Sequence, residues 1–193
     1  MPSSSDIKAQ LRTRLLRARR SLTADERAEW TTALREQLEP ELSGVSSVAA
    51  YWPLGTEPGG ADFIPWLSRR VDRVLLPITC GNGVLNWADY KGPHSMQPGQ
   101  LGISEPAGPR FDSRVLCGCD LILAPAMAID AAGNRLGKGG GYYDRALSRV
   151  PRNHPAVLAM VYPTEFLDSI PATSHDRRVE AVVTAAGIHR FSS

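Results

Sequence analysis

The stretch from Asp120 to Leu147, DLILAPAMAIDAAGNRLGKGGGYYDRAL, gathers the residues of this chain best suited to chemistry. It reads as an apolar strand, a glycine-dense loop and a helix starting near Gly141. Glycines let a backbone approach an anion closely. A helix N-terminus adds unpaired N–H groups and a positive dipole end. Arg135 and Lys138 put two cations in the same loop, the guanidinium with a fork matched to phosphate oxygens. The combination predicts a phosphate cradle. It is neither of the two common ones. GxxxxGK[ST] is absent because Gly139 follows Lys138, and Gly137-x-Gly139 is followed by Gly140, Gly141 and Tyr142, which is not GxGxxG. Glycines alone also fit a flexible turn; two cations between strand and helix favour the cradle.

Such a loop must be carried by a sheet, because in open α/β folds ligands bind beyond the carboxyl ends of the strands. The rest of the chain supplies one. Ile7, Leu11, Leu15 and Leu22 recur at near-helical intervals, with Ser5 or Asp6 as candidate cap. A second helix starts near Thr23, where Thr23 and Glu26 fit a capping box and Leu34 and Leu38 continue an apolar stripe. After this N-terminal helical pair the rhythm changes. Strands are predicted over Val45–Trp52, Arg73–Ile78, Val84–Tyr90, Leu121–Ile129, Ala156–Val161 and Val179–Thr184, with a helix over Phe63–Arg70. Residues 91–111, rich in Gly and Pro, read as a loop. Strands alternating with helices predict an α/β fold with a mostly parallel sheet and helices on both sides.

Composition narrows the function. The chain has 193 residues, 42% hydrophobic and 22% charged, which suits one globular domain over 1–193. A net charge of +2 is too small to argue for nucleic acid. No apolar run reaches membrane-spanning length. Cys80, Cys117 and Cys119 make an odd set that fits free thiols in a reducing compartment, and Cys117-x-Cys119 lacks the partner ligands of a zinc site. These features predict a cytoplasmic protein with no nucleic-acid or membrane partner, and a monomer is the expected state. The Arg-rich start, with Lys8, Arg12, Arg14, Arg17, Arg19 and Arg20 opposed only by Asp6, leaves a mitochondrial leader as the alternative.

The segment Asn134-Arg135-Leu136-Gly137-Lys138-Gly139-Gly140-Gly141-Tyr142-Tyr143-Asp144-Arg145 is similar to the signature of the 5-formyltetrahydrofolate cyclo-ligase family. Other segments resemble that family in order: Lys8 and Arg12; Tyr51-Trp52-Pro53 to Glu57-Pro58; Gly102-Ile103-Ser104-Glu105-Pro106; and His175-Asp176 with Val179, Val183 and Thr184. The resemblance implies a Rossmann-like three-layer α/β sandwich. It implies a reaction in which ATP phosphorylates the formyl oxygen of 5-formyltetrahydrofolate, N10 attacks the activated carbon, and phosphate leaves. It further implies Arg135 and Lys138 as catalytic residues. ATP would be held by Lys8, Arg12, Arg135, Leu136, Gly137, Lys138, Gly139, Gly140, Gly141, Tyr142 and Tyr143, folate by Trp52, Glu57 and Tyr142, and Mg²⁺ by Asp144 and Asp176.

These roles suit the residues. Lys8 and Arg12 stand four apart and share a helical face. Phosphoryl transfer needs positioning and charge stabilisation, and magnesium takes hard oxygen ligands, few of them from protein. Trp52 or Tyr142 can stack on a pterin, whose donor edge Glu57 can accept; for Tyr51 and Trp52, core packing is the equal alternative. Arg14, Arg17 or Arg19 can meet an acidic glutamate tail or form a solvated face. His175 stands near the metal or caps a turn; His94, His154 and His189 carry no role. The family has a Thr a few residues after Glu57, where this chain has Pro58-Gly59-Gly60-Ala61. That departure keeps open a related enzyme with another formylated or carboxylated amine, beside a non-catalytic folate or nucleotide binder.

Overall fold

The computed structural model describes residues 3–152, 155–172 and 176–191. Its helices are α1 (Ser4–Ser21), α2 (Ala24–Leu38), α3 (Phe63–Leu67) and α4 (Tyr142–Leu147). Its strands are β1 (Ser47–Ala49), β2 (Arg73–Thr79), β3 (Leu85–Asp89), β4 (Met96–Pro98), β5 (Ser104–Pro106), β6 (Leu121–Pro125), β7 (Ala128–Asp130), β8 (Arg135–Leu136), β9 (Ala156–Met160), β10 (Phe166–Leu167), β11 (Ala181–Thr184) and β12 (Gly187–Arg190).

Both N-terminal helices start on capping boxes, in which side chain and backbone satisfy each other's orphan groups. Thr23 Oγ1 accepts from Glu26 N (3.1 Å) and Glu26 Oε2 from Thr23 N (2.8 Å), as the spacing predicts. In α1 the cap is Ser3, and Asp6 is its reciprocal partner. The expected cap at Ser5 or Asp6 thus lies a few residues too late. Ile7 is exposed and drops out of the apolar stripe.

The main sheet runs β12-β11-β9-β6-β1-β2-β3. Its central strands are parallel, and β3 and β12 close the two edges antiparallel. Alternation along each strand sends side chains to opposite faces. Val48, Leu123 and Leu158 pack one face against Leu34, Leu38, Phe63 and Leu67 of α2 and α3. Ala49, Ile122 and Val157 pack the other against Ala146 and Leu147 of α4 and Leu116 of the 3₁₀ turn Ser113–Gly118. This is the three-layer arrangement. From β1 the chain first builds outward to β2, then returns to β6 on the opposite side. That reversal leaves a crevice at the carboxyl ends of β1 and β6, where such sheets bind ligands.

Several boundaries differ from the sequence reading. The apolar run Leu121–Ile129 is not one strand: β6 ends at Pro125, and β7 joins a second sheet, β10-β7-β8. Both pieces are buried, so hydrophobicity runs through the change of sheet without a break. Residues 91–111 hold a hairpin, β4 with β5, and Phe111 exchanges two backbone bonds with Trp87, both 2.8 Å. The predicted strand Val45–Trp52 shrinks to β1, leaving Tyr51 and Trp52 beyond its carboxyl end. Helix α1 covers the small sheet, with Leu15 against Met127, Ala128 and Leu136. Among the described residues no helix is long and apolar enough to cross a membrane.

Candidate active site

The carboxyl ends of β1, β2 and β6 open into a cavity of about 510 Å³. The residues that the resemblance assigns to ATP, folate and magnesium all line it: Lys8, Arg12, Trp52, Glu57, the whole run Arg135–Asp144, and Asp176. His175 and His154 lie outside the described residues.

The phosphate loop is built from both ends. Arg135 and Leu136 form β8, buried and paired with Ile129 and Ala128 of β7. Arg135 donates from Nη1 to Pro125 O (2.9 Å) and from Nη2 to Asp144 Oδ1 (2.7 Å). The loop then turns at Gly139 (φ +103°) and Gly141 (φ +66°), conformations that side-chain-bearing residues resist. Gly141 precedes α4 as its cap, where a helix was expected. At six residues, α4 has too few aligned peptide dipoles to act as the long helix of a Rossmann cradle does, so loop backbone and cations are the main anion-facing groups. Arg145 braces the loop from outside, donating to Gly140 O (2.6 Å) and to Gly83 O (2.8 Å).

Helix α1 closes one wall. Arg12 Nε donates to Gly137 O (2.8 Å), and one turn earlier Lys8 Nζ pairs with Asp176 Oδ2 (2.7 Å). Lys138 reaches across to Glu57 Oε1 (2.7 Å), whose other oxygen accepts from Leu54 N (2.9 Å). Three loop or helix cations are therefore each paired with a cavity carboxylate: Lys8 with Asp176, Arg135 with Asp144, Lys138 with Glu57.

The opposite wall is aromatic. Trp52 is partly buried and tilts against Tyr90 at 6.3 Å. Tyr51 is buried in the core and donates to Pro58 O (2.8 Å). Tyr143 meets Trp87 edge-on at 6.0 Å. Burial pushes the phenols of Tyr51 and Tyr143 well above the ordinary tyrosine range, so both stay protonated donors. Two polar atoms of cavity-lining residues, Tyr143 Oη and Arg135 Nε, are buried without a hydrogen-bond partner. Where the family's Thr is missing, Gly59 and Gly60 both take positive φ, and a Cβ on Gly59 would stand 2.9 Å from the Phe63 ring.

Arg19 is not on a solvated face, nor free to meet an acidic tail. It is buried, donating from Nε to Glu165 Oε1 (2.5 Å) and from Nη2 to Glu165 Oε2 (2.9 Å) and Ala126 O (2.7 Å). Arg14 and Arg17 are exposed. The basic start of the chain thus has internal uses at Lys8, Arg12 and Arg19. Sequence reasoning also missed the clamp at Glu105, which accepts from Thr79 N (2.8 Å) and fastens the β4–β5 hairpin, with Ile103, over the cavity. Only the GIxEP resemblance hinted at it.

Fold and site together define a class: α/β proteins that carry a cation-bearing glycine loop over the switch point of a mostly parallel sheet. Within that class the chain belongs to the 5-formyltetrahydrofolate cyclo-ligase family, whose model matches residues 4–185. The 5-formyltetrahydrofolate cyclo-ligase of Mycolicibacterium smegmatis is 37% identical over 182 residues, covering 92% of this chain and 93% of that protein. The structure of a 5,10-methenyltetrahydrofolate synthetase from Aquifex aeolicus superposes with a TM-score of 0.82 at 27% identity, covering 97% and 94% of the two chains. A 5,10-methenyltetrahydrofolate synthetase from Mycoplasma pneumoniae shares the fold, with a TM-score of 0.73 at 21% identity over 92% and 98% of the chains.

Proposed function

We propose that this protein converts 5-formyltetrahydrofolate to 5,10-methenyltetrahydrofolate, consuming ATP and releasing ADP and phosphate. The observation that carries this reading is one cavity joining a cation-lined glycine loop to an aromatic wall with a buried carboxylate, in a chain of this family.

The chemistry follows from the groups present. Lys8, Arg12, Arg135 and Lys138 offset the charge of a triphosphate and stabilise the transferring phosphoryl oxygens. The formyl oxygen attacks the γ-phosphorus and the bond to ADP breaks. N10 then adds its lone pair to the activated carbon, loses its proton, and phosphate departs with the original formyl oxygen. Glu57 accepts from the pterin edge once Lys138 turns to phosphate, and Trp52 and Tyr142 flank the ring. Asp144 and Asp176 are hard oxygen donors lining the same cavity. Among the described residues no three His, Cys, Asp or Glu side chains form a metal cluster. A donor set this sparse fits magnesium held mainly by phosphate and water. Bound there, Mg²⁺ would supply charge neutralisation across the phosphates.

Both ligands are small, and we place the protein in the cytoplasm as a monomer of one domain. Substrate labelled with ¹⁸O in the formyl group tests the route: the label should appear in the released phosphate. Label retained in the folate or lost to water would rule out phosphorylation of the formyl oxygen.

A further inference from the structure

Asp130 ends β7 outside the cavity and is 2% exposed. Its Oδ1 accepts from Ala132 N (2.9 Å) and Asn134 N (2.9 Å). Its Oδ2 accepts from Asn134 Nδ2 (2.9 Å) and Ile170 N (2.8 Å). One carboxylate thus shapes the turn between β7 and β8 and also holds the start of the segment that leads to Asp176.

The same turn holds the far end of that segment. Gly133 O accepts from Val179 N (3.0 Å), and Asn134 Oδ1 accepts from Arg178 Nε (3.1 Å). Gly133 has φ +78°, and a Cβ there would lie 2.9 Å from Val179 O, so the close approach requires glycine. Asp176 is bracketed between these anchors, and Arg135 follows Asn134 directly in the chain.

We infer that Asn134, oriented by Asp130, is a positioning residue that holds Arg135 and Asp176 in register, so that a metal-bound nucleoside triphosphate is gripped from two sides. This rests on the function proposed above. Asn134 uses both ends of its amide: Nδ2 is fixed by Asp130, which aims Oδ1 at Arg178. Removing Arg178 or Asn134 loosens the Asp176 side of the site, though the bonds at Ile170 N and Val179 N remain, and leaves the cavity's folate wall untouched.

The test uses Asn134→Ala, Arg178→Ala and the double variant; Arg178 is exposed, so its loss spares the core. Calorimetry measures affinity for a non-hydrolysable ATP analogue over a range of magnesium concentrations, and separately for 5-formyltetrahydrofolate. Each single variant should bind the analogue about fivefold more weakly and need more magnesium for half-saturation. Folate affinity should hold in every variant, and the melting temperature should hold in Arg178→Ala, which keeps the bond between Asn134 and buried Asp130. The double variant should match Asn134→Ala, because the two changes remove one shared bond. Unchanged analogue affinity in Arg178→Ala and Asn134→Ala would overturn the inference, as would parallel loss of both ligands with a falling melting temperature. Wild-type protein that binds no analogue would overturn the proposed function itself, and this inference with it.

Discussion

Glu165 and Arg19 set the terms at the scale of single residues. Both are buried, and each is the other's charge partner. Removing one member of such a pair leaves the other unpaired in a poor solvent for charge. Glu165→Ala should therefore cost about 3–5 kcal/mol in urea unfolding; a loss below about 1 kcal/mol would show that water reaches Arg19. Lys138 behaves differently. It is half-exposed, and its removal spares the core. Lys138→Ala should lower kcat about 10²- to 10³-fold in a steady-state assay, with a modest fall in melting temperature, because buried Glu57 loses its cation but keeps the bond from Leu54 N. Unchanged turnover would remove Lys138 from the phosphate site. Legibility divides along the same line. Arg135, Lys138 and Asp144 were readable because they stand together in one glycine-rich motif. Arg19 was not, since among neighbouring arginines nothing marks the one whose partner lies far along the chain at Glu165.

At the scale of elements, the phosphate loop depends on backbone conformations. Gly141 sits at φ +66° just before α4, and a Cβ there would come 3.0 Å from Arg145 Nη1. Gly141→Ala should cost about 1–2 kcal/mol from the left-handed conformation alone. It should also raise the KM for ATP, because Arg145 must shift from Gly140 O and Gly83 O. Equal stability and an equal KM would mean that the loop adapts freely. Apart from the four-residue edge strand β12, the strands that escaped the sequence reading are very short. Strands β4, β5, β7 and β8 are each two or three residues long. Alternation needs more residues than that to show itself. The β7–β8 turn matters most, because it places Arg135 and anchors the Asp176 segment, yet it lies inside what reads as strand followed by loop.

For the whole molecule, the order of strands decides where the site falls. The cavity sits where the chain's outward winding from β1 reverses, with walls from β1, β2 and β6, helix α1 and the loop before α4. The alternation of buried runs and helices made the parallel sheet legible. Strand order was not, since it is set by long-range pairing that leaves no local mark. Burial has a second, global consequence. It pushes the Cys119 thiol from an ordinary 9.0 up to about 11 and raises the phenols of Tyr51 and Tyr143. The folded state then holds protons that the unfolded chain releases, so these groups stabilise the fold fully below about pH 9. Their contribution is lost as pH rises toward the folded values. Melting temperature should fall steadily between about pH 9 and 11; a flat profile would contradict burial of these groups.

The most direct test mixes purified protein with 5-formyltetrahydrofolate, ATP and Mg²⁺ and follows absorbance of the methenyl product, omitting each component in turn. The account predicts product in the complete mixture and none when folate, ATP or Mg²⁺ is left out. Folded protein that binds ATP yet yields no product in the complete mixture would contradict it.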